Sequence, residues 1–200
     1  MTLSPLSQIA KMAKTSGVLR PRDLVVHGIA REYLRIATDQ GILVRSGRGL
    51  YLPADSPVTE HHSLAESARR VPKGVVCLLS ALSYHGVGTQ NPFEVWMAIG
   101  AKDRRPAVVN PKLRIARFSK PALEFGVETH DVEGVPVRIF SVAKTVADCF
   151  KYRNKIGLDV AIEALRDSLR QKKATPNQIW EAATVCRVAN IIRPYMEALV

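Results

Sequence analysis

The chain has few of the features that would point to an enzyme, a membrane protein or a disulfide scaffold. Among its 200 residues there are three cysteines, Cys77, Cys149 and Cys186. An odd number at wide spacing does not make a disulfide framework, and it fits reduced, buried thiols in a cytoplasm. No run of about 18 apolar residues is present, which excludes a membrane-spanning helix. The opening stretch, MTLSPLSQIAKMAK, is too polar for a secretory signal. Gly-x-Ser-x-Gly, P-loop and Gly-x-Gly-x-x-Gly patterns are all missing, and with them the commonest signatures of acyl transfer and nucleotide handling. Acidic residues are also scarce, 18 against 29 lysines and arginines.

What is present is a chain that is 46 % hydrophobic, with a net charge of +11. The first figure is ample for a folded core. The second favours a polyanionic partner. The charge is unevenly spread. Residues 1–56 carry eight basic and four acidic side chains, and residues 101–120 carry seven basic against Asp103 alone.

Ser4-Pro5 opens a helix, since serine caps free amides and proline is tolerated at the first helical position. Leu6, Ile9, Ala10 and Ala13 share its face, and Gly17 ends it. Pro21 begins a short second helix with Leu24 and Val25, and His27-Gly28 turns the chain. A third helix is expected from about Ile29 to Gln40, with Ile29, Tyr33 or Leu34, and Ala37 inward, and Gly41 at its end. Then ILVRSGRGLYLP reads as a hairpin. Its glycines suit a tight reversal, and its arginines are free to project from it. This order is a helix-turn-helix with a β-wing.

LPADSP, rich in proline and small polar residues, marks a linker. The expected division is a winged helix-turn-helix over 1–56 and a second, α+β domain over 58–200. In the second domain, a helix is expected over Thr59–Val71, and GVVCLL is a short strand leading into the helix SALSYHG. FEVWMAIG, LRIARFS, VETHDV and VPVRIF read as strands of a sheet, the last two joined by a Glu133-Gly134 turn. The chain is helical from Ser141 to its end, with Thr175-Pro176-Asn177-Gln178 a capping box. The overall class is α+β.

A recognition helix presents its early residues to base edges in the major groove, here Arg31, Glu32 and Arg35. Arg45 and Arg48 on the wing would meet phosphate or the minor groove, and Lys11, Lys14, Arg20 and Arg22 would add phosphate contacts. The alternative is a winged helix used only for protein docking. The block Lys102, Arg104, Arg105, Lys112, Arg114 and Arg117 is either a second polyanion surface or an ordinary solvated loop and strand face. His62 with Glu66 lacks a third ligand at a zinc spacing. Ser80, Ser83 and His85 lack an acid and an oxyanion site, so helix packing is the plainer reading. Asp148, Asp159, Glu163 and Asp167 read as solvated or paired helical carboxylates. A nuclease, which needs a carboxylate pair with a lysine on adjacent strands, is the rival from a different class. No catalytic residue, metal site or cofactor is expected.

Taken in order, GILVRSGRGLYLP, LLSALSYHGVG, FSVAKTVADCFKYRNKIGLDVAIEAL and RPYMEAL resemble the AbiEi-type antitoxins of bacterial abortive-infection, type IV toxin–antitoxin systems, over nearly the whole chain. The resemblance implies a cytoplasmic, non-enzymatic repressor whose winged helix binds inverted repeats in the double-stranded DNA of its own operator. It also implies a second domain that neutralises a nucleotidyltransferase-like toxin, directly or indirectly, and no membrane partner. The family's DNA-contacting positions carry over as Arg45, Arg48 and the early recognition-helix residues.

Overall fold

The computed structural model describes residues 4–47, 49–54, 60–108 and 110–199, apart from the Ser46 side chain. The protein is α+β, with helices first, then strands interleaved with helices, then a run of helices. It divides into two compact units, residues 1–70 with 131–137, and residues 71–130 with 138–200.

In the first unit, α1 (Pro5–Ser16), α2 (Pro21–Val26) and α3 (Glu32–Asp39) precede β1 (Leu43–Gly47) and β2 (Leu50–Pro53), and α4 (His62–Arg70) follows. Ser4 caps α1 by accepting from the Ser7 amide at 3.2 Å. At Gly17 the chain leaves α1 with φ +64°, and a Cβ there would lie 1.4 Å from the Glu133 carbonyl oxygen. Glycine is therefore required at this position both by backbone conformation and by space. Ile9, Ala13, Leu19, Leu24, Ile29, Leu34, Ala37 and Leu43 form one buried cluster, so the inward faces expected for the first and third helices are the ones observed, and on α2 Leu24 is buried while Val25 is exposed. The third helix is shorter than expected. Residues 29 and 30 are not helical, because the Ile29 amide is taken by the Leu24 carbonyl in a tight turn.

The wing is antiparallel, with Val44 opposite Leu52 and Arg45 opposite Tyr51, and its register shifts between Arg45 and Gly47. Leu19 adds an isolated antiparallel bridge to β2. Its amide donates to the Tyr51 carbonyl at 2.8 Å, and the Tyr51 amide returns the bond at 3.0 Å. This links the segment between α1 and α2 to the wing.

This unit runs past residue 56 because α4 is tied to the N-terminal helices. Arg69 Nη2 donates to the Ser16 carbonyl at 2.9 Å and Arg20 Nη1 donates to the Arg69 carbonyl at 2.8 Å. His62 Nδ1 and Glu133 Oε2 are 2.7 Å apart. Glu133 (φ 54°) and Gly134 (φ 73°) form the expected turn, both left-handed.

A five-stranded sheet consists of β3 (Val75–Val76), β4 (Val95–Gly100), β5 (Leu113–Phe118), β6 (Val127–Val132) and β7 (Val135–Phe140), in the order β5-β4-β3-β7-β6; the strand residues within 131–137 count with the first unit and the rest with the second. The sheet is mixed: β3 runs antiparallel to β4 and parallel to β7, and β4 runs parallel to β5. Around it lie α5 (Leu78–His85), α6 (Lys120–Glu124), α7 (Val142–Lys151), α8 (Arg153–Ile156), α9 (Leu158–Arg170), α10 (Pro176–Val185) and α11 (Ala189–Glu197). The expected caps are in place. Ser141 accepts from the Lys144 amide, and Thr175 and Gln178 form a reciprocal capping box. Phe140, Val146, Phe150, Leu165 and Ile179 are wholly buried at the centre of this core.

Candidate nucleic-acid interface

The exposed side of α3 follows from its buried side. Leu34 and Ala37 face the core, so Glu32 and Arg35, on the opposite face, are exposed, and Arg31 is exposed at the N-cap. A helix start directs free amide groups and the positive end of the macrodipole outward, which suits an anion. Arg31 and Arg35 add two cations one turn apart, and Glu32 is the acid between them.

On the wing, Arg45 is exposed. Its Nε donates weakly to the Gly47 carbonyl at 3.4 Å, a bond within the turn that leaves the rest of the guanidinium available. Arg48 lies outside the described residues. Lys11, Lys14 and Arg22 are exposed.

Arg20 is engaged differently. Its amide is taken by Asp23 Oδ2 at 2.8 Å, which starts α2, and its guanidinium reaches the Arg69 carbonyl with only 20 % of the side chain exposed. Arg69 Nη1 also lies 3.8 Å from Asp23 Oδ2. The Arg20 guanidinium is partly desolvated, which lowers its pKa, with Asp23 opposing the shift. Arg20 thus joins α2 to α4. Arg70 pairs with Glu66 at 3.7 Å, and a Cβ at Gly47 would sit 2.3 Å from Arg70 Nη2. The turn end of the wing therefore rests against an arginine. Arg69 and Arg70 were not among the expected site residues; a basic pair ending a helix beyond the linker was their one trace in the sequence.

In the second unit, the second basic block is divided in its roles. Lys102, Arg104 and Arg105 are exposed on the loop after β4. Lys112 and Arg114 both approach Glu94, at 3.8 and 3.3 Å. Arg117 donates through Nη1 to the carbonyls of Gly100, Ala101 and Asp103 at 3.2, 2.8 and 2.9 Å.

The residues considered for chemistry have structural partners. Glu66 pairs with Arg70, and His62 pairs with Glu133. Ser80 accepts from the Trp96 amide at 2.9 Å, and His85 Nε2 donates to the Phe140 carbonyl at 2.8 Å. All three cysteines are buried and free. Burial pushes the Cys186 thiol up to about 12, so it is not a thiolate at neutral pH.

Among known proteins, likeness in sequence is found for the winged segment. Residues 7–54 match the family model of the transcriptional regulator AbiEi antitoxin. The match runs from α1 to the end of the wing, the segment whose geometry is described above, and bears out the resemblance there. No curated protein matches the chain in sequence. In three dimensions it is similar to the crystal structure of the RV2827C protein from Mycobacterium tuberculosis, with a TM-score of 0.51 and 13 % identity, covering 100 % of this chain and 81 % of that one. At that identity the likeness is one of fold. No helix among the described residues is long and apolar enough to cross a membrane.

Proposed function

We propose that the protein is a transcriptional repressor and antitoxin of a bacterial toxin–antitoxin system, cytoplasmic and without an enzymatic activity of its own. The observation that carries this reading is the exposed set Arg31, Arg35 and Arg45, on a recognition helix and wing within the segment that matches the AbiEi antitoxin regulators. In this reading α3 enters the major groove of an operator built from inverted repeats, with Arg31, Glu32 and Arg35 at base edges. Arg45 and Arg48 contact the backbone or minor groove beside it, and Arg22 adds a phosphate contact.

The functional division places DNA reading in residues 1–56 and neutralisation of a nucleotidyltransferase-like toxin in residues 58–200. Lys102, Arg104, Arg105 and Lys112 supply charge for the second task.

Two assays on the full chain test the reading: a promoter reporter carrying the protein's own upstream region, and colony survival with the toxin encoded beside it induced. Arg31→Ala with Arg35→Ala should relieve repression and spare survival. Lys102→Glu with Arg104→Glu should lower survival and spare repression. Repression that withstands the first pair of changes would remove α3 from the DNA surface. Survival that never depends on this protein would remove the antitoxin role.

A further inference from the structure

The second unit contains a cavity of about 640 Å³ beside the edge strand β5. Arg105, Arg114, Arg117 and Lys155 line it, with Trp96 and Tyr152. Glu94 is the one carboxylate among its lining residues, and it is only 10 % exposed.

Arg114, Arg117 and Tyr152 are held in place before any ligand arrives. The Arg114 guanidinium lies over the Trp96 indole, 4.9 Å from its centroid, and Glu94 holds it there from the side. Arg114 and Trp96 thus line the cavity together, cation over ring. The Tyr152 hydroxyl donates to the Arg117 carbonyl at 2.7 Å, which fixes the ring, and Lys155 sits 5.6 Å from that ring's centroid. Arg117 is anchored through Nη1 by three loop carbonyls, and its other nitrogens have no hydrogen-bond partner among the described residues. Preorganised cations of this kind bind with little further loss of conformational freedom.

We propose that this cavity binds a nucleoside phosphate, with its base stacked on the flat Arg114–Trp96 pair and its phosphates held by Arg105, Arg117 and Lys155. Bases stack on guanidinium planes as well as on aromatic rings, and phosphate oxygens match the guanidinium fork. An acidic peptide would use the cations and leave the flat faces without a purpose. The volume falls within the usual range for small-ligand sites, about 300–1,000 Å³. The ligand is either a free nucleotide or the terminal nucleotide of an RNA, which present the same chemistry. The inference does not rest on the repressor reading, since every group in it belongs to the second unit.

The test uses the full chain carrying Trp180→Phe, so that Trp96 is the one remaining indole. ATP, GTP, CTP, UTP, inorganic tripolyphosphate and a short single-stranded RNA are titrated separately, with Trp96 emission and calorimetry as readouts. Saturable binding of nucleoside triphosphates is expected, with tripolyphosphate weaker by about tenfold for want of a stacked base. Arg114→Lys, which keeps the charge and loses the plane, should abolish that difference. Arg105→Ala, on an exposed loop, should weaken every phosphate ligand and leave the melting temperature unchanged. Binding of the RNA alone supports the site with an RNA end as its source, and binding of free nucleotides supports it with that source. The proposal is overturned by no saturation at millimolar concentration of any probe. It is equally overturned if tripolyphosphate binds as tightly as the nucleotides, or if both variants bind like the parent.

Discussion

Lys144 and Asp148, one turn apart on α7, are bonded to each other with both side chains wholly buried. The Lys144 ammonium lies 4.0 Å from the Phe140 ring centroid and 4.8 Å from that of Phe118, and the Cys186 thiol donates to Asp148 Oδ1 at 3.2 Å. An ion pair in such a place is strongly missed when one partner goes, because the other charge is left uncompensated. Lys144→Met is expected to cost about 3–5 kcal/mol in urea unfolding at neutral pH. Lys144→Met with Asp148→Leu should recover most of that loss.

The same pair predicts a pH dependence. Burial raises the Asp148 pKa, and Lys144 opposes the shift. Without Lys144 the folded-state value rises further above the unfolded value of about 4. Folded Lys144→Met then keeps a proton that the unfolded chain has released, so ionising Asp148 costs stability as pH rises through that window. The deficit of Lys144→Met should be smallest near pH 4 and largest at neutral pH, as read from unfolding curves at a series of pH values. A deficit independent of pH would mean that Asp148 is not the group left exposed to the change.

On the wing, Arg45→Ala with Arg48→Ala should weaken operator binding and leave the circular dichroism spectrum unchanged. Two lost phosphate contacts flatten the plot of log affinity against log salt by about two units. An unchanged slope would place both arginines away from the DNA.

Arg69→Ala should behave in the opposite way. Its guanidinium holds the Ser16 carbonyl and lies beside Asp23, so its loss is expected to cost about 1.5–3 kcal/mol, as for a hydrogen bond made by a charged group. The salt slope of DNA binding should stay as in the parent. A changed slope with unchanged stability would make Arg69 a phosphate contact.

Within α3, Leu34 is 2 % exposed and Arg35 is exposed. Leu34→Ala should destabilise by about 2–5 kcal/mol. Arg35→Ala should shift stability by no more than about 0.5 kcal/mol and still reduce operator binding. Thermal melts and gel shifts on the two variants separate packing from recognition on neighbouring residues.

Features that depend on near neighbours are legible in the order of residues alone. Ser4, Ser141 and Thr175 cap the helices that follow them because a cap is an interaction over three residues. The Glu133-Gly134 turn and the stop at Gly17 follow from backbone conformations that these residue types tolerate. The inward faces of α1 and α3 follow from helical periodicity, and with them the exposure of Arg31 and Arg35. Features that depend on distant residues are set by the packing of the folded chain. The sheet order β5-β4-β3-β7-β6 pairs Val76 with Ile139 across more than sixty positions, and no local pattern encodes such a pairing. Arg20 and Arg22 look alike in VLRPRDL, yet one guanidinium turns to the Arg69 carbonyl and the other stays exposed. The cavity gathers Trp96, Arg114 and Lys155 from two strands and a helix. A charge in a sequence carries no direction; the backbone that holds it supplies one.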